Sequence, residues 1–104
     1  MQQLVSTDHT IFERFLQPSE RAAATIELVT QGAAALPILQ SLLSGEATNS
    51  WGVPYRKLGV PVDCALVAIQ RLGPIALPLE AYVKHEIENG HSYAADALTA
   101  IHAL

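Results

Sequence analysis

The stretch ALVAIQRLGPIALPL, at residues 65–79, decides the fold because parts of it occur again on both sides. Its second half, 73–78, aligns with 32–37 through a shared Gly and a shared Ala-Leu-Pro. Its first half, 65–69, aligns with 97–101 through Ala-Leu-x-Ala-Ile. The two offsets, 41 and 32 residues, differ by the length of one insertion. Internal repetition at this scale is typical of a stacked helical array.

Apolar periodicity predicts six helices around this stretch. They are expected at residues 8–16, 19–31, 33–44, 62–72, 75–88 and 92–104. Pro18 ends the first helix, Gly32 the second and Gly73 the fourth, since a glycine closes a helix without a steric penalty. Ser6, Thr7 or Asp8 can cap the first helix, and Ser92 is placed to cap the last one.

Pro37 and Pro78 hold matching places in the aligned stretches. A proline inside a helix removes a backbone hydrogen bond. In the first turn, however, the missing amide would have no intrahelical partner. We therefore expect both prolines in or near the first turn of their helices, 33–44 and 75–88, where they support the repeat.

Small residues recur in the repeated parts and predict close packing between the helices that carry them. They are Ala65, Ala68, Ala97 and Ala100. In helix 19–31, helical spacing predicts a core side made of Ala23, Ile26 and Val29 or Thr30. The last helix, SYAADALTAIHAL, has no strongly charged outer face. Its exposed side is expected to be covered by a partner or by a second copy.

The motif Ala-x-x-Ala-Ile-x-x-Leu-Gly-Pro-x-Ala-Leu-Pro-Leu at 65–79 resembles the HEAT-like helical repeat. The resemblance extends over 65–88, 21–44 and 92–104. It implies an all-α fold: a short α-solenoid of about three antiparallel helix pairs, with an irregular insertion at about 45–60. Such a family includes scaffolds, adaptors, bilin lyase-type proteins and a few nucleic-acid enzymes, so it indicates the architecture and leaves the activity open.

Composition predicts one domain over residues 1–104 and excludes several partners. Half of the 104 residues are apolar, 15% are charged, and the net charge is −4. Because phosphate backbones are gripped mainly by Lys and Arg, we expect no nucleic-acid partner. The amino terminus lacks the pattern of a signal peptide, and no uncharged apolar run is long enough to span a bilayer. We therefore expect a cytoplasmic protein that does not enter a membrane.

The insertion carries the candidate partner-binding residues Trp51, Tyr55, Arg56 and Lys57. Trp, Tyr and Arg dominate binding hot spots, and a long loop without secondary structure is often functional. The alternative is that Trp51 folds back and fills the gap between helix pairs. If the insertion is the contact element, Trp51→Ala should weaken partner binding and Arg56→Glu should mainly slow association. We expect the insertion to lie outside the repeat core, so neither change should unfold the protein.

Other reactive residues predict no catalytic, metal or cofactor site. His85 and His91 are six residues apart, whereas the zinc motif HExxH places two histidines four apart on one helical face. Cys64 lies among apolar residues, where a buried cysteine is usually an inert packing residue. The alternative, a nucleophilic Cys64, would need a neighbour that activates it.

These observations favour a small non-catalytic module that binds another protein, such as an adaptor, a regulator or a toxin-neutralising protein. A bilin-lyase-like or other enzyme using the helical groove is the first alternative. It would need a pocket containing a residue of perturbed acidity, with His85, His91 or Cys64 in its lining. A homo-oligomeric structural protein, joined through the C-terminal helix, is the second alternative.

Overall fold

Helices account for most of the chain in the structure, a computed structural model that describes residues 7–103. The six α-helices are α1 (Thr7–Phe15), α2 (Arg21–Thr30), α3 (Leu36–Leu43), α4 (Val60–Leu72), α5 (Glu80–Glu88) and α6 (Ala94–Ile101). Three 3₁₀ helices adjoin them, at Gly32–Ala35, Tyr55–Leu58 and Gly73–Leu79. Among the described residues there is no β-strand, only an isolated bridge between Thr48 and Pro54. The expected all-α class is confirmed.

The two prolines hold different positions relative to their helices. Pro37 lies in the first turn of α3, as expected. Pro78 lies inside the 3₁₀ helix Gly73–Leu79, before α5 begins at Glu80, so its expected place at the opening of an α-helix is wrong. In an α-helix starting at residue 75, Pro78 would stand where the backbone amide must already bond to the preceding turn. The α-helical geometry therefore begins only after it.

The side of α2 that faces the core is not the expected one. The buried residues are Ala24, Thr25 and Leu28, whereas Ala23 is exposed and the Ile26 side chain is 55% exposed. Leu28 and Ala24 are one turn apart and bury the apolar surface together. Thr25 joins them because its hydroxyl donates to the Arg21 carbonyl at 2.9 Å, which satisfies the polar group inside the fold.

Helix α4 lies at the centre and packs against α2 on one side and α6 on the other. Ala65, Ala68 and Ala97 are fully buried, as their recurrence predicted, whereas Ala100 is only partly buried. Gly73 ends α4 with a φ of +65°, a conformation that favours glycine. A Cβ on this glycine would lie 3.7 Å from the carbonyl oxygen of Ala100, so α6 passes close to the turn as well.

The last helix is shorter than expected. It begins after Tyr93, which makes no side-chain capping bond, so Ser92 is not its cap. It ends at Ile101, and Leu104 lies outside the described residues, as does the candidate cap Ser6 of the first helix. The exposed side of α6 carries small and polar residues. They include Ala95, Asp96 and Thr99.

One continuous helical stretch, Val60–Glu88, is long and apolar enough to cross a membrane by length and composition. In the structure, 56% of the most apolar 18 residues of this stretch is buried inside the protein. The regular α-helix also ends at Gly73, whose backbone leaves the helical conformation. Core helices of folded domains pass the same test, so this is weak evidence for a membrane span.

Candidate functional site

The insertion forms an ordered turn, which we call the Trp51 turn and define as residues 47–55. Its two sides are joined by backbone hydrogen bonds of 3.0 Å, from Tyr55 N to Ala47 O and from Asn49 N to Val53 O. The Asn49 side-chain oxygen accepts two more, from the amides of Trp51 at 2.8 Å and Val53 at 3.0 Å. An asparagine that bonds to the backbone two residues on stabilises a tight turn. Trp51 therefore stands at a fixed tip.

The Trp51 side chain is 87% exposed, so it does not fill a gap between helix pairs. Two further apolar side chains in the adjoining sequence are partly exposed, Val53 in the same turn and Leu58 in the 3₁₀ helix that follows. Lys57 in that 3₁₀ helix is also exposed. An aromatic ring exposed to water contributes little buried apolar area to the fold, which makes Trp51 a candidate contact residue.

Tyr55 holds one end of the turn inside the protein. Its side chain is 2% exposed, and its ring centroid lies 5.2 Å from that of Phe12 in α1. The Tyr55 hydroxyl donates to Glu13 Oε2 at 2.5 Å. Burial, and then the hydrogen bond and charge of Glu13, raise the pKa of the Tyr55 hydroxyl. Tyr55 is an anchor, and its ring is not available to a partner.

Arg56 holds the same end to α3 and α5. Its Nη1 donates to the carbonyl oxygen of Leu43 at 2.6 Å and to Glu86 Oε2 at 2.6 Å. Glu86 is fully buried, and a buried carboxylate is stable only when it is paired and hydrogen-bonded. The expectation that the insertion lies outside the core is therefore wrong, since Tyr55 and Ala47 belong to the core and Arg56 neutralises a buried charge.

His91 links the Arg56–Glu86 ion pair to Asp63 in the first turn of α4. His91 places Nε2 at 3.5 Å from Glu86 Oε1 and Nδ1 at 3.3 Å from Asp63 Oδ1. The side-chain amide of Asn89 donates a hydrogen bond to Glu86 Oε1 at 3.3 Å. His85, by contrast, is exposed on α5. Among the side chains that the structure describes, those of residues 11–103, no three His, Cys, Asp or Glu are arranged to hold a metal ion.

A groove of about 460 Å³ lies between α2 and α4, at the start of α6. Its lining consists of Pro18, Arg21, Ala22, Thr25, Ile26, Val60, Asp63, Cys64, Val67, Arg71 and Tyr93. The sequence pattern did not predict this groove, because it placed Ile26 on the core side of helix 19–31. A weak signal was available: neither Arg21 nor Arg71 has an acidic residue three or four positions away, so no helical ion pair uses them.

Cys64 lies at the floor of this groove as a buried free thiol. Burial raises the pKa of the thiol, against smaller opposite effects of Arg21 and of a hydrogen bond with Thr25. Cysteine nucleophiles react as thiolates and need a lowered pKa. The groove thus contains a residue of perturbed acidity, as the enzyme alternative requires, but the direction of the shift opposes nucleophilic catalysis.

The four residues selected from the sequence therefore divide into two pairs. Tyr55 and Arg56 are engaged inside the fold, whereas Trp51 and Lys57 are presented to solvent by the elements that those anchors hold.

In comparisons with known proteins, the chain matches no protein-family model, no curated protein and no solved structure.

Proposed function

We propose that this chain is a small non-catalytic module that binds another protein, and that Trp51 is its central contact residue. The observation that carries the proposal is the combination of an 87% exposed indole with a turn anchored through Tyr55 and Arg56. A pre-ordered contact loses little conformational freedom on binding. Trp51 therefore contributes its contact area without the entropy cost that a mobile loop would pay.

The surroundings of Trp51 support a protein as the partner. Val53 and Leu58 extend the apolar area, and Lys57 adds a charge at its edge. An apolar centre with a polar rim is the usual composition of a protein contact. The net charge of −4 argues against a phosphate backbone or an acidic membrane surface. Lys57 favours a partner with an acidic residue next to its apolar patch.

For the architecture, we infer a short HEAT-like stack, with α2, α4 and α6 side by side in one layer. Two features support it. Helix α4 packs between α2 and α6, and Gly32 and Gly73 each take a positive φ at the start of a 3₁₀ helix. An adaptor, regulatory or toxin-neutralising role in the cytoplasm fits such a module, and the free thiol of Cys64 suits a reducing compartment.

The test is affinity capture from the source cell with immobilised wild-type protein and with Trp51→Ala, followed by mass measurement of the intact complex. We expect the wild type to retain a protein of different mass and Trp51→Ala to bind it about 30-fold more weakly, which corresponds to roughly 2 kcal/mol. Leu77→Ala is the matched control, since Leu77 is 50% exposed away from the turn. Equal binding by all three proteins would refute the proposal.

The same mass measurement tests the homo-oligomer alternative. A mass of two or more copies of the chain, unchanged in Trp51→Ala, would favour self-association through another surface. The enzyme alternative is tested by treating the folded protein with iodoacetamide at neutral pH, since a catalytic thiol would react rapidly and a packing thiol that is 5% exposed should not.

A further inference from the structure

The cationic side chains that have no acidic partner are concentrated at two places. Of the six Lys and Arg residues, three form ion pairs with carboxylates of the chain. These pairs are Arg14 with Glu20 and Glu27, Arg56 with Glu86, and Lys84 with Glu80. Within residues 7–103, Arg21, Lys57 and Arg71 have no such pair. Lys57 adjoins the Trp51 turn, and both Arg21 and Arg71 line the groove between α2 and α4.

The groove is long and shallow. On α4 its lining runs from Val60 to Arg71, a distance of about 16 Å along a helix axis. Its walls include Ile26 at 55% exposure and Tyr93 at 45%, so apolar surface is open to water along its rim. Small-molecule sites usually enclose most of their ligand. A shallow groove of three helical turns instead suits the side chains of one face of an α-helix.

Arg21 is held in place on the α2 side. Its Nε donates to the carbonyl oxygen of Phe15 at 2.7 Å, which leaves the other N–H donors of its guanidinium without a carboxylate in the described part of the chain. Arg71 is exposed in the last turn of α4. Two unpaired guanidinium groups in the lining of one apolar groove are complementary to an occupant with an apolar face and separate carboxylates.

We propose that this groove binds an amphipathic α-helix of the partner protein, with acidic residues that pair with Arg21 and Arg71. Apolar side chains of that helix, spaced three or four residues apart, pack on Ile26, Val67 and Tyr93. The inference rests on the proposed function, since it takes the occupant to be a protein. It adds where a second contact lies and which chemistry it recognises.

Asp63 sets the register of the bound helix. It lines the groove near its Val60 end and is engaged by His91 at 3.3 Å. A carboxylate of the partner opposite Asp63 would be repelled, so the acidic residues of the partner must avoid that position. The groove thus selects a helix with acids opposite the two arginines and an apolar or hydroxyl-bearing residue opposite Asp63.

The experiment is selection from a phage-displayed library of random peptides about 16 residues long, enough for about 24 Å of helix. The targets are the wild type, Arg71→Glu and Trp51→Ala. Arg71 makes no contact that holds the fold, and matched melting temperatures check this. We expect the wild type to enrich amphipathic peptides with at least two acidic residues. Their binding, measured by fluorescence anisotropy, should fall by roughly fivefold or more in Arg71→Glu.

A charge swap completes the test. In the enriched peptide, replacing one acid with Lys should restore binding to Arg71→Glu and weaken binding to the wild type. Ile26→Ala should weaken both complexes, since Ile26 is exposed and lines the groove. Enriched peptides without acidic residues, no enrichment at all, or equal binding to the wild type and Arg71→Glu would overturn the groove proposal.

The Trp51→Ala arm separates this inference from the proposed function. Peptides that bind Trp51→Ala normally and lose affinity for Arg71→Glu support the groove and show that it acts without the turn. Peptides that lose affinity only for Trp51→Ala overturn the groove and leave the turn as the contact site.

Discussion

Replacing Arg56 with Met tests the reasoning about the buried charge on α5. The change removes the guanidinium and keeps an unbranched side chain, so the space next to Gly45, where a Cβ would lie 3.4 Å from Arg56 Cδ, stays largely filled. Two bonds of 2.6 Å are lost, to Leu43 O and to Glu86 Oε2. Glu86 then stays fully buried with a charge that Arg56 no longer neutralises.

The expected loss is about 3–4 kcal/mol of unfolding free energy. Removing one partner of a buried ion pair typically costs about 3–5 kcal/mol, because the other charge remains in a poorly solvated place. We take the lower part of this range because Asn89 still donates to Glu86 at 3.3 Å and His91 still lies 3.5 Å away. For a domain of this size, the melting temperature should fall by roughly 12–32 °C.

Urea denaturation followed by circular dichroism measures the effect. Lys57→Ala is the matched control: Lys57 is the next residue, it is exposed, and its loss should change stability by less than about 0.5 kcal/mol. The double variant Arg56→Met with Glu86→Leu should recover most of the loss, since apolar residues often replace a buried pair without penalty. If Arg56→Met costs no more than Lys57→Ala, the buried pair does not stabilise the fold and the reasoning fails.

Three further predictions concern the core and its titrating groups. Ala68→Leu should cost roughly 1–3 kcal/mol in urea denaturation, because Ala68 is fully buried where α4 packs, and a variant as stable as the wild type would contradict this. The pKa of the Tyr55 hydroxyl is raised in the folded protein, so as pH rises this hydroxyl loses its proton first in the unfolded chain. The unfolding free energy should therefore decline as pH rises above about 10, and the decline should be shallower in Tyr55→Phe. Cys64 should resist iodoacetamide at neutral pH in the folded protein and react in urea, as mass spectrometry would show.

Much of the fold could be predicted from the sequence because single residue types and their spacing indicate it. Proline and glycine have restricted or special backbone conformations wherever they occur, so Pro18, Gly32 and Gly73 separate helices regardless of what packs around them. The alanines of 65–69 and 97–101 predicted close packing because a small side chain lets neighbouring helix backbones approach each other. The all-α class followed from these signals alone.

The side of α2 that is buried was decided by its neighbours. Helical spacing is equally satisfied by Ala23 with Ile26 and by Ala24 with Leu28, and the choice depends on which side meets α4. The sequence assigned Ile26 to the core for want of that information. In the tertiary structure Ile26 lines the groove, and the groove itself exists only because α2 and α4 lie side by side.

The candidate site divides in the same way. Sequence alone determined that Trp51, Tyr55, Arg56 and Lys57 share one segment without helical periodicity, since residue types and their spacing are local facts. The hydrogen bonds from Tyr55 to Glu13 and from Arg56 to Glu86 form only in the folded protein, because these partners lie 42 and 30 residues away along the chain. Burial and charge pairing are properties of residues brought together from distant positions. They turn two of four similar candidates into anchors and leave Trp51 exposed at the tip.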